Sequence, residues 1–228
     1  MQISAEIYDW IKNEVKSDEI EVVSKEMLKK LIKSGNSIAV IFSDTHNHGI
    51  YGIKDIHKLC LNLDVPLLHV IGTEAPKRLG IDSAPALIYY EREVPAVFEG
   101  DLDITDSVLD WLMDHRTADT IEEITEEILV TIIDNIEYVA VLFTGPCDEA
   151  AKNTECEEII EELETVDDEV DKYGIALVTT EDIKYAGQTL DIRKFPALGI
   201  FRNGNFLLYE GDLHYFPTLL LHSNVSIL

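Results

Sequence analysis

The sequence predicts an α/β protein in which one architecture, a central mixed sheet flanked by helices, is built twice in tandem. Three observations predict it. First, the chain repeats itself. Ser37-Ile38-Ala39-Val40-Ile41-Phe42 returns as Tyr138-Val139-Ala140-Val141-Leu142-Phe143, and Ser24, Glu26, Leu28 and Ile32 return at the same offset as Thr125, Glu127, Leu129 and Ile133. Second, each copy alternates short apolar runs with stretches of helical apolar spacing, the pattern of strands separated by helices. Third, each copy contains, after its third α/β step, a hairpin entered through a proline. The first reads Ala84-Pro85-Ala86-Leu87-Ile88-Tyr89-Tyr90, and the second Phe195-Pro196-Ala197-Leu198-Gly199-Ile200-Phe201-Arg202-Asn203-Gly204. Both lead into Glu-Gly-Asp, at 99–101 and 210–212. Proline fixes its own φ and restricts the residue before it, so each hairpin begins at a stiff elbow.

In the first copy, residues 19–23 read as a short strand. Ser24 is a good helix N-cap, and Met27, Leu28, Leu31 and Ile32 form an apolar stripe that ends before Gly35. Ile38 to Phe42 is continuously apolar, as a strand buried on both faces should be. A polar loop, Ser43 to Gly49, separates it from a helix carrying Ile53, Ile56, Leu59, Cys60 and Leu63 at helical spacing. Val65 to Ile71 is the next buried strand, followed by a short helix near Glu74 to Leu79. The Pro85 hairpin turns near Glu91 to Glu93, and a helix with Leu109, Trp111 and Leu112 closes the copy. The second copy repeats this order. Its long second helix is predicted from about Asp148 to Asp171 with Ile159, Leu163, Val166 and Val170 inward, and its third strand is Ile175 to Thr179; Asn203-Gly204 marks a two-residue hairpin turn.

The repeat fixes the expected boundaries. Asp9-Trp10-Ile11 matches Asp110-Trp111-Leu112 at the same offset. Residues 1–18 are therefore expected to hold the last helix of a preceding copy, 19–117 the first complete domain and 118–228 the second. The chain then reads as a piece of a longer array, with a lone N-terminal helix as the alternative. The segment from His214 to Leu228 contains Leu219-Leu220-Leu221-His222-Ser223-Asn224 and no Trp, so it departs from the closing helix of the first copy.

Composition narrows the function classes. The 228 residues carry 44 Asp and Glu against 18 Lys and Arg, a net charge of -26. Such a field repels nucleic acid and anionic membranes and favours cations or basic partners. No apolar stretch approaches the ~20 residues needed to span a bilayer. The three cysteines, Cys60, Cys147 and Cys156, form neither a disulfide framework nor a zinc spacing.

The order βαβ, then a hairpin entered through proline, then a helix resembles the thioredoxin fold, and the resemblance covers nearly the whole chain. It is similar to the tandem thioredoxin-like domains of protein disulfide isomerase relatives and of calsequestrin. The resemblance implies cis peptide bonds before Pro85 and Pro196, and residence in the endoplasmic reticulum lumen or secretory pathway. It implies client or partner proteins held at the elbows, with Ala84, Pro85, Phe195 and Pro196 as the client-binding residues.

Redox members of that family carry Cys-x-x-Cys after the second strand, at a helix N-terminus where the thiol pKa falls. Here the first copy reads Ser43-Asp44-Thr45-His46-Asn47-His48-Gly49, without sulfur, and so performs no dithiol exchange there. The second reads Thr144-Gly145-Pro146-Cys147-Asp148-Glu149, and the next cysteine is Cys156. Three readings stand for Cys147: an incidental structural thiol, a disulfide with Cys156, or a reactive monothiol. The acidic neighbours Asp148 and Glu149 disfavour a thiolate and speak against the last. No catalytic residue is predicted beyond the weak candidates Cys147 and Cys156. Cys60, on an apolar stripe, reads as a buried inert thiol. His46 and His48 with His57 stand as a solvated loop or, more weakly, a metal pair.

From Glu155 to Asp171 one helical face is all carboxylate. It reads as a solvated face that keeps the chain soluble, or as a weak calcium surface through Glu157, Glu158, Glu161, Glu162, Asp167 and Asp168, since calcium takes 6–8 oxygen ligands. No other cofactor is implied. Three functions follow in order. The first is a redox-inactive disulfide-isomerase-like tandem that binds client or partner proteins, with oligomers allowed, and neither nucleic acid nor membrane insertion. The second is a calsequestrin-like calcium buffer. The third is residual thiol-disulfide exchange through Cys147 and Cys156.

Overall fold

The computed structural model describes residues 20–45, 50–117, 120–145, 154–211 and 213, without the side chains of 154, 155 and 168. The N-terminal helix expected in 1–18, His46 and His48, Cys147, the Asp168 side chain and the segment 214–228 lie outside the described residues. The chain divides into two compact units, Met1–Ala118 and Asp119–Leu228.

The first unit runs β1 (Glu21–Val22), α1 (Lys25–Ile32), β2 (Ile38–Ser43), α2 (Ile53–Asn62), β3 (Leu67–Ile71), α3 (Glu74–Arg78), β4 (Ala86–Glu91), β5 (Val94–Val97) and α4 (Thr105–Thr117). The sheet order is β1-β3-β2-β4-β5. β1, β3 and β2 are parallel, while β4 runs antiparallel to β2 and β5 antiparallel to β4. Every residue of β2 is buried, as a central strand covered on both faces requires. β1 and β3 are shorter than the predicted spans 19–23 and 65–71. Val65 and Pro66 precede β3, and Pro66 contributes to the ladder only through its carbonyl, which accepts from the Ala39 amide at 2.9 Å.

Strand side chains alternate between faces. On one face Ala39, Ile41, Leu67, Leu87, Tyr89 and Ala96 pack with Ile56 and Cys60 of α2 and Val108 and Leu112 of α4. On the other, Val40, Phe42, Leu68, Val70 and Ile88 are buried together with Leu28 and Leu31 of α1. A Lys25–Glu74 ion pair joins the starts of α1 and α3. Helix α1 begins where its sequence says it should, because Ser24 Oγ accepts from the Met27 amide at 3.2 Å.

The second unit runs β6 (Glu122–Glu123), α5 (Glu126–Asn135), β7 (Tyr138–Phe143), α6 (Thr154–Asp171), β8 (Ile175–Thr180), α7 (Ile183–Thr189), β9 (Ala197–Arg202) and β10 (Asn205–Leu208). Its sheet order, β10-β9-β7-β8-β6, is that of the first unit read from the other edge. Helix α6 buries Ile159, Leu163, Val166 and Val170 against Ala140, Leu142, Leu177 and Leu198, and Cys156 near its start is also buried. It is described from Thr154, and the predicted start near Asp148 lies outside the described residues. Thr125 Oγ1 accepts from the Ile128 amide at the start of α5, repeating the Ser24 cap.

The two hairpins reach one turn geometry by different residues. Asn203 and Gly204 have φ of 49° and 77°, the two left-handed positions of a type I′ turn. Arg92 and Glu93 adopt the same conformation, with φ of 49° and 72°, without the Asn-Gly that favours it.

Candidate functional site

The strand register builds the site. In the first unit Phe42 of β2 pairs with Ala86 of β4, which sets Ala84 and Pro85 beside the end of β2, where Ser43 leads into Asp44 and Thr45. In the second unit Phe143 pairs with Ala197, which sets Phe195 and Pro196 beside Thr144 and Gly145. The Ala84–Pro85 and Phe195–Pro196 peptide bonds are both cis. Around the first elbow Asp82, Ser83 and Pro85 are exposed and Ala84 is half-buried; at the second, Lys194 is exposed and Phe195 and Pro196 are half-buried. Each elbow therefore offers surface immediately beside the strand end.

At the first strand end the chemistry is that of a closed polar knot. Ser43 is 3% exposed and His69 2%. Ser43 Oγ lies 2.6 Å from the Thr45 carbonyl oxygen and 2.6 Å from His69 Nε2. A hydroxyl has one proton. When Ser43 donates it to Thr45, His69 carries its proton on Nε2 and donates to Ser43 Oγ. The serine is then an acceptor toward the imidazole, so the pair fixes the strand end and the loop after it rather than activating a nucleophile. Sequence reading missed this pair. The signal was a histidine inside an apolar strand run, which needs a buried partner, and a serine ending the parallel strand next to it.

At the second strand end a glycine and an aromatic ring fix the loop. Gly145 is buried with φ of +65°. A Cβ built on it would lie 3.2 Å from Phe195 Cβ and 3.4 Å from Ile183 Cγ2. The backbone at Gly145 thus rests directly on the residue before Pro196. Thr144 is anchored to β8 twice, through its amide and its hydroxyl, each donating to the Thr180 carbonyl at 3.0 and 3.2 Å.

Cys156 is fully buried and disulfide-bonded, and its sulfur lies 3.9 Å from the Thr144 carbonyl oxygen. Cys60 is free and buried. Burial pushes the Cys60 thiol up to about 12, so it presents no thiolate near neutrality.

Helix α6 keeps Glu157, Glu158 and Glu161 exposed, with Glu162 and Asp167 half-buried. Among the described residues no three or more His, Cys, Asp and Glu side chains converge to hold a metal ion. His57 is buried in α2, packed into the unit rather than presented on a loop. None of the described helices is long and apolar enough to cross a membrane.

A five-stranded mixed sheet in the order 1-3-2-4-5, covered by helices on both faces in the first unit and closed by a hairpin that follows a cis-proline, is a thioredoxin-like domain. The chain contains two such domains in tandem. No protein-family model matches the chain, and no curated protein matches it. Among solved structures it is similar to ERdj5 form II, with 15% identity and a TM-score of 0.45, covering 92% of this chain and 28% of that one. It is also similar to human ERp44 form II, with 18% identity and a TM-score of 0.37, covering 93% of this chain and 58% of that one. The chain thus spans less than two thirds of either.

Proposed function

We propose that this chain is a redox-inactive, disulfide-isomerase-like binding module that holds extended segments of client or partner proteins at the Ala84–Pro85 and Phe195–Pro196 elbows. The observation that carries this reading is the strand end in the first unit. The surface beside Pro85 is open, while the adjoining position holds a serine tied to a histidine and a carbonyl, with no sulfur. The place is built as a surface, and the chemistry that would make it a thiol enzyme is missing. In the second unit the Cys156 sulfur is buried beneath Thr144, which favours a structural over a catalytic role. Residence in the secretory pathway, and membership of a longer array, belong to the same reading. So does the exclusion of nucleic acid, which a net charge of -26 favours.

The test is photo-crosslinking. A light-activated group at Ser83 or Lys194 should capture an unfolded, alkylated polypeptide, and the same group at Tyr173, exposed in the turn after α6, should not. Equal capture at all three positions would overturn the reading.

Calcium binding is the second reading, and the exposed carboxylates of α6 are what favour it. Without a cluster of three in place among the described residues, ligands have to come from more than one helix or chain, so the affinity is expected to be low and salt-sensitive.

A further inference from the structure

One helix face runs against the charge of the whole chain. In the first unit, Lys29 and Lys30 of α1 and its C-cap Lys33 are all exposed. Within α1 only Glu26 is acidic, and Lys25 is held by Glu74 of α3. Among the described residues, none of Lys29, Lys30 and Lys33 takes part in an ion pair. At the matching places of the second unit, α5 and the residues around it hold Val130, Thr131 and Asp134. The fold therefore does not require lysines there. In a chain of net charge -26, solubility does not require them either.

Helix α6 of the second unit is the complement. It contains no basic residue from Thr154 to Asp171, whereas its counterpart α2 mixes Lys54, Asp55 and Lys58. Glu157, Glu158 and Glu161 of α6 are exposed, and among the described residues none of the three takes part in an ion pair. Both triplets have the spacing i, i+1, i+4, so each projects from one short stretch of helix that rises about 6 Å at ~1.5 Å per residue. Like charges one turn apart, Lys29 with Lys33 and Glu157 with Glu161, destabilise their own helices. Bringing the two triplets together relieves both.

We infer that Lys29, Lys30 and Lys33 of one copy dock against Glu157, Glu158 and Glu161 of a second copy. The occupant is a second copy because its α6 offers carboxylates at the spacing of the lysines. Two electrostatic effects compete, and their ranges differ. The net charge of each copy repels the other at long range, while the triplets attract on contact. The screening length is about 30 Å at 0.01 M salt, about 10 Å at 0.1 M and about 3 Å at 1 M. At low salt the repulsion keeps the copies apart. Near 0.1 M it is screened while the touching pairs still attract, and near 1 M the pairs are screened as well. Association therefore passes through a maximum with salt. Exposed ion pairs are individually weak, so the contact is reversible. The inference is independent of thiol and client chemistry.

The experiment is sedimentation equilibrium of the full 228-residue chain across that range of salt. The expected result is self-association that is strongest near 0.1 M, on the order of the salt at which long-range repulsion is screened. A chain with Lys29→Glu, Lys30→Glu and Lys33→Glu should associate on the order of tenfold more weakly, and so should one with Glu157→Lys, Glu158→Lys and Glu161→Lys. The second variant is the sharper, because it lowers the net negative charge and would associate more strongly if net repulsion alone governed the outcome. A chain with Lys54→Glu, Lys58→Glu and Lys184→Glu, three other exposed lysines, matches the first variant in charge and should keep the association. All the replaced side chains are exposed, and far-ultraviolet circular dichroism checks that each variant is folded. The decisive arm mixes the two weakened variants. Each then faces a triplet of opposite sign on the other, so the mixture should associate although both chains remain strongly negative. A chain that stays monomeric near 0.1 M, a lysine-bearing α6 that strengthens association, a control variant that loses it, or weakened variants that fail to pair would each overturn the inference.

Discussion

The Ser43 hydroxyl oxygen stands 2.6 Å from Nε2 of His69, inside the first unit where β2 ends. Both residues are almost fully buried, so water replaces neither if the other is removed. Removing one partner of a buried hydrogen bond costs about 1–3 kcal/mol. Ser43→Ala is expected to lower the stability of the first unit by that amount, read from urea unfolding followed by Trp111 fluorescence. Ser43→Thr, which keeps the hydroxyl, should lose less. An unchanged midpoint for Ser43→Ala would remove the pair from the account.

The Arg92-Glu93 turn is held in a left-handed conformation by the pairing of β4 with β5, against the preference of both residues. Replacing the pair with Asn-Gly, the residues that make the same turn in the second unit, should stabilise the first unit by about 0.5–2 kcal/mol. A destabilised double variant would show that the Arg92 or Glu93 side chain contributes more than its backbone costs.

Gly145 carries the opposite expectation. Its φ of +65° and the 3.2 Å approach to Phe195 leave no room for a branched side chain. Gly145→Val should cost about 1–3 kcal/mol and disturb the Phe195 elbow, whereas Gly145→Asn, which tolerates the left-handed region, should cost less. Equal stability of the two variants, measured by circular dichroism in urea, would contradict this.

Stability should fall in alkali. Burial holds the Cys60 thiol at about 12, against 9.0 for an open thiol, and also raises the Tyr89 and Tyr90 hydroxyls. Above about pH 9 the unfolded chain releases these protons while the folded chain keeps them. The unfolded state then binds fewer protons, so stability decreases as pH climbs from 9 towards 12. In the same range, iodoacetamide should spare Cys60 until the first unit unfolds. Rapid native-state alkylation at pH 8 would show the thiol is open.

The architecture was legible because its signals are local and repeated. The runs Ile38–Phe42 and Val139–Phe143 have no polar residue to confuse a doubly buried strand, and Ser24 and Thr125 mark their helices by capping chemistry. Asn203-Gly204 announces its turn. Arg92-Glu93 does not, because there the geometry is imposed by strand pairing and not by residue preference. The Ser43–His69 pair was hidden for a related reason. Its members are far apart in sequence, and only the parallel register of β2 and β3 brings them together. The elbows could be placed from Pro85 and Pro196. What lies beside them required the pairing of Phe42 with Ala86 and of Phe143 with Ala197.

The most direct test of the account is the binding of an unfolded polypeptide with every thiol alkylated, followed by fluorescence anisotropy. The account predicts saturable binding that Cys147→Ser leaves unchanged and that Ser83→Glu with Lys194→Glu weakens on the order of tenfold. Absence of saturable binding, or binding abolished by Cys147→Ser and indifferent to the elbow substitutions, would contradict it.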